Sequence, residues 1–92
     1  MTTNQRALLE RITAGAANFE RPNRLAAAAV FETEAADIVA LETLGYVTVG
    51  TRLRDFTEGG RWVQLGAVSA TVAGRAALAA APAGTSGDRA RR

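Results

Sequence analysis

LETLGYVTVGTRLRDFTEGGRWVQLGAVSATV, Leu41–Val72, is the stretch that decides the fold. Up to Gly45 the apolar residues recur every three or four positions, as on one side of a helix. Past Gly45 the period shortens and β-branched residues crowd in: Val47, Thr48, Val49 and Thr51. Asp55 to Gly60 gathers turn formers and closes on the pair Gly59-Gly60. Trp62 to Val72 is strand-like again, with Gly66 as the expected bulge. The reading is a helix that ends at Gly45, followed by a long two-stranded hairpin.

Working back from that point, Thr33 is the expected cap of the helix that ends at Gly45. Ile38 and Leu41 face its core side, and Glu34 and Asp37 sit near its positive end. Pro22 suits the first turn of a preceding helix whose buried side is Leu25, Ala26, Ala29 and Val30. Ala16 to Arg21 reads as a connector with Phe19 turned inward. Leu8, Leu9 and Ile12 mark a first helix, capped by Asn4 and ended by Gly15. Working forward, Thr71 caps a closing helix from about Val72 to Ala81, and Pro82 stops it. Residues 1–81 therefore read as one domain, and 82–92 as a disordered tail. The fold class is α+β: three helices, a hairpin and a C-terminal helix.

Composition narrows the function. Nearly half of the 92 residues are apolar, at 48 %, which is enough to fold a single domain. A chain this short buries only roughly 60–65 % of its unfolded surface. Alanine adds little area, so the core rests on larger side chains, among them Ile12, Leu25, Val30, Phe31, Ile38, Leu41, Leu44, Leu53 and Leu65. Cysteine and histidine are absent. That removes disulfides, zinc fingers, thiol catalysis and the commonest general base. No carboxylate pair stands beside a nucleophile, so no enzyme, cofactor or metal is expected. There is no signal-peptide layout and no run near the ~20 apolar residues of a membrane span. The expected location is cytoplasmic. Every basic residue is arginine, as the codon bias of a GC-rich bacterial or phage genome would produce.

Two motifs, LETLGYV (Leu41–Val47) and ATVAGRAAL (Ala70–Leu78), flank the hairpin. In this order they resemble winged helix-turn-helix regulators of the MarR and PadR type. The first resembles the Leu-x-x-x-Gly-apolar-Val where a recognition helix meets the wing. The second resembles the Leu-Thr-x-x-Gly-Arg-x-x-Leu that follows the wing. The resemblance implies a winged helix-turn-helix fold and a sequence-specific regulator of double-stranded DNA. It implies a recognition helix over Thr33–Leu44 and an arginine-bearing wing. The chain departs from the pattern in three ways. Leu25 and Leu41 lie about two residues closer together than the resemblance implies. Ala29-Val30-Phe31 stands where a glycine turn is usual, and Glu32, Glu34, Asp37 and Glu42 are the only charges from Glu32 to Gly45.

Charge is split along the chain. Met1–Tyr46 holds four arginines and six acids; Val47–Arg92 holds seven arginines and three acids. Candidate DNA-binding residues follow. Arg52 and Arg54, two apart and so on one face of a strand, join Arg61 across the hairpin. Arg21, Asn23 and Arg24 lie where a helix amino terminus would favour a phosphate. Thr33, Ala36, Ala40 and Thr43 are expected to face outward, towards base edges or a partner helix. The arginines equally fit a solvated hairpin face, and Trp62 fits packing better than base stacking. Arg89, Arg91 and Arg92 fit a solvated terminus. Two functions remain open. One is a homodimeric DNA-binding transcription regulator. The other is a winged-helix interaction module that binds a protein partner through its acidic third helix and does not bind DNA.

Overall fold

Thr2, not Asn4, opens the first helix. Its hydroxyl accepts from the Gln5 amide, and the Gln5 side chain accepts from the Thr2 amide, at 3.0 and 2.9 Å. This reciprocal pair satisfies two amides that the first turn leaves unpaired. In the computed structural model, residues 1–15 and 17–80 are described. The expected tail at 82–92, with Arg89, Arg91 and Arg92, lies outside them. Helix α1 runs Thr3–Thr13 and buries Leu8, Leu9 and Ile12.

The connector contains a strand. Phe19–Glu20, β1, pairs antiparallel with the second hairpin strand, Phe19 opposite Leu65. Phe19 points inward as expected and is buried.

The main correction concerns the middle of the chain. The two helices expected from Pro22 and from Thr33 are one helix, α2, over Leu25–Thr43. Nothing between Leu25 and Leu44 is glycine or proline, and alanine is the strongest helix former, so no turn interrupts it. Thr33 therefore caps nothing; its hydroxyl donates back to the Ala29 carbonyl at 3.3 Å. Arg24 is the N-cap, with extended backbone and no side-chain bond. At the far end Gly45 has φ 81°, the Tyr46 amide donates to Leu41 O and the Gly45 amide to Glu42 O. This left-handed close is the one expected at Gly45.

Merging the helices also shifts the buried side. Ala28, Phe31, Ala35, Ile38 and Leu41 face the core. Leu25, Val30 and Leu44, expected inside, are 86 %, 60 % and 49 % exposed. The bulky anchors Phe31, Ile38 and Leu41 set the rotation, and the alanines follow.

Strands β2 (Val47–Asp55) and β3 (Arg61–Ala70) form the expected hairpin. With β1 they make a three-stranded antiparallel sheet in the order β1-β3-β2. A 3-10 turn, Phe56–Glu58, sits at the tip. The register shift falls between Leu53 and Arg54, not at Gly66. The local distortion in β3 is at Ala67, whose φ is 50°. It resets the alternation, so Leu65 and Val68, three apart, are both buried. Leu53, near the tip, lies beyond the core and is 51 % exposed.

Helix α3, Val72–Ala80, closes against α1 and β3. The two motifs on either side of the hairpin meet here. The Thr71 hydroxyl donates to Gly45 O at 2.7 Å and accepts from the Gly74 amide at 3.0 Å; the Thr71 amide donates to Tyr46 O. A Cβ on Gly74 would collide with the Tyr46 carbonyl. The glycines and threonine of both motifs thus form one clasp that shuts the hairpin's base.

Candidate functional site

Of the hairpin arginines, Arg52 and Arg61 reach acids of α2, whereas Arg54 stays on the hairpin. Arg52 makes a two-pronged contact with Glu42, Nη1 donating to Oε1 at 2.8 Å and Nη2 to Oε2. This bond holds the Arg52 pKa above its ordinary value. Arg54 Nε donates to Gly60 O at 2.8 Å. Its guanidinium lies 4.5 Å from the Trp62 ring centre and 5.8 Å from that of Phe56. That spacing is within range of a cation–π contact. Arg61 Nη2 lies 3.4 Å from Glu32 Oε2. Arg21 Nη1 donates to the same oxygen at 2.8 Å, and its Nε donates to Trp62 O. The Arg21 hydrogen bond is the main reason that Glu32 has a pKa below its ordinary 4.5.

Three of the four acids of α2 are therefore engaged, the third being Glu34, which accepts from Arg11 at 2.6 Å. Sequence reasoning saw the acids as an obstacle to DNA and missed them as partners. Some signal was available, because Glu42 and Arg52 are ten residues apart across a single turn into β2. Trp62 packs against the core cluster, as its packing reading expects. Asn23 and Arg24 are exposed beside the α2 amino terminus.

The second group of candidates lies apart from most of these arginines. Thr33, Ala36 and Thr43 are exposed and Ala40 is half-buried, on the outward side of α2. The Thr33 and Thr43 hydroxyls donate to their own helix, at Ala29 O and Val39 O, rather than pointing to a groove. Ala26, Ala29, Val30 and Leu44 are exposed along the same side. Two hollows flank this ridge. One, of about 320 Å³, lies towards the hairpin between Ala36, Val39 and Trp62, with Arg21, Glu32 and Arg61 at its rim. The other, of about 260 Å³, lies towards α1 and includes Leu8, Arg11, Val30 and Asp37.

Among the described residues, no group of His, Cys, Asp or Glu could hold a metal ion, and no helix is long and apolar enough to cross a membrane. The chain matches no family model, no curated protein and no solved structure.

Proposed function

We propose that this chain is a protein-interaction module that docks through the outward side of α2. One observation carries the reading: α2 is apolar on both sides. Its inner side builds the core, while Leu25, Val30 and Leu44 remain exposed on a ridge of alanines, with Glu32, Glu34 and Glu42 bonded at its flanks. A helix apolar all round is normally covered on all sides. The acids, which first suggested a protein partner, hold arginines of this chain instead, so the apolar strip makes the contact. The sheet order and the hairpin support a winged-helix likeness, reduced by the absence of a turn within α2.

The test is site-specific photo-crosslinking from position 33 in the native host, with position 48 on β2 as control. A stoichiometric protein captured from position 33 but not 48, and lost on Ala36→Arg, is expected. Capture that survives Ala36→Arg would overturn the reading.

A second reading, DNA binding through the hairpin, draws support from Arg52, Arg54 and Arg61, which are exposed on it. Its test is selection from a random duplex pool at low salt. Arg52, Arg54 and Arg61 replaced together by alanine should flatten the salt dependence if the wing grips phosphates.

A further inference from the structure

We infer that the partner inserts an aromatic side chain into the hollow between α2 and the hairpin, and that a neighbouring carboxylate takes the place of Glu32 between Arg21 and Arg61. The inference rests on the interaction-module reading and names the chemistry of the partner's anchor.

The hollow opens beside the apolar ridge. Its volume, about 320 Å³, stands at the small end of the range for ligand pockets, roughly 300–1,000 Å³, so it suits one ring rather than an extended ligand. Ala36 and Val39 line it from α2, and Trp62 lines it from β3. A ring laid against Trp62 buries apolar area and gains an aromatic contact.

The polar rim is a carboxylate cradle already in use. Arg21 Nη1 donates to Glu32 Oε2 at 2.8 Å, and Arg61 Nη2 lies 3.4 Å from the same oxygen. The Arg21 side chain is 15 % exposed, and its Nε is held by Trp62 O. Glu32, by contrast, is 52 % exposed, so it returns to water at little cost. Arg21 Nη2 is closed to water and meets no acceptor. Buried donors are normally paired. A carboxylate set squarely on the guanidinium, one oxygen to each Nη, supplies that partner. Asp55 stands beside the same two arginines, and Arg54 lies over the Trp62 ring at 4.5 Å. Exchanging one carboxylate for another leaves this balance of charge unchanged, whereas an anion added beside Glu32 is repelled by it.

The full chain has one tryptophan, so its fluorescence reports on Trp62. N-acetylphenylalanine, which joins a ring to a carboxylate, should change that fluorescence saturably. Its amide should bind about tenfold more weakly, and N-acetylaspartate, which has no ring, should not bind over the same range. Glu32→Gln should strengthen N-acetylphenylalanine binding about two- to five-fold, because the internal competitor is gone; a purely structural Glu32 gives no such gain. Arg61→Gln should bring the acid close to the affinity of the amide. Ala36→Leu, which fills the hollow from an exposed position, should abolish binding of both with the helical signal kept. No binding, equal binding of acid and amide, or weaker binding by Glu32→Gln would overturn the inference. Photo-crosslinking from position 33 separates it from the reading beneath it. Capture lost on Ala36→Arg but kept on Arg61→Gln and Ala36→Leu retains the interaction module and overturns the aromatic anchor. Capture of nothing removes the interaction reading, and the anchor with it.

Discussion

Thr71 ties two turns together through one hydroxyl, and Gly74 leaves the space that lets them touch. Replacing Thr71 with valine removes the cap of α3 and the bond to Gly45 O. A loss of about 1–2 kcal/mol is expected, read by urea unfolding. Gly74→Ala forces a methyl group into the Tyr46 carbonyl and should cost about 1–3 kcal/mol, from overpacking alone. A Gly74→Ala protein as stable as the parent would show that the clasp is looser than its geometry. Glu32 offers a test by titration. Its pKa is lowered, so its share of stability is complete above the ordinary carboxylate range and disappears as pH falls through the lowered value. Carbonyl NMR should place the Glu32 midpoint below that of an ordinary glutamate, and Arg21→Gln should move it back up.

At the scale of the element, continuity of α2 is the feature on which most else depends. Ala29 is exposed and lies inside the helix. Ala29→Gly should therefore cost about 1 kcal/mol, the penalty of glycine in a helix interior. Were there a turn at Ala29-Val30-Phe31, glycine there would be neutral or better. Urea unfolding of this variant separates the two cases. The hairpin is bound to α2 by Arg52 and Glu42, an exposed pair, so its contribution is small and falls as salt rises. The stop at Gly45, the hairpin and its tip were legible because each is announced by residues a few positions apart. The β1 strand was not, since two residues carry no period.

For the whole molecule, the arrangement of charge matters more than its sum. The formal net charge of +2 hides arginines drawn inward onto the acids of α2. The protein thus presents an apolar ridge between two hollows, and of the arginines named as DNA contacts Arg24, Arg52, Arg54 and Arg61 are exposed while Arg21 is half-buried. Duplex binding, if measured at low salt, should be weak and should strengthen when Glu32 and Glu42 are replaced by glutamine. That change frees Arg21, Arg61 and Arg52 from their carboxylates. Fluorescence anisotropy with a random duplex checks it, and unchanged binding would argue against any role for these arginines with DNA.

Local chemistry was readable from the residues alone: a stop at Gly45, a hairpin after it, and Thr71 as the cap of the closing helix. Such features depend on backbone conformations and hydrogen bonds spanning a few positions, which residue type largely dictates. The rotation of α2 and the pairing of its acids were settled only when the chain folded. In an alanine-rich helix many faces look equally buried, and three bulky side chains choose among them by where the sheet and α1 leave room. Ion pairs between distant segments follow from that choice, because a carboxylate meets an arginine only after packing has brought the two elements side by side.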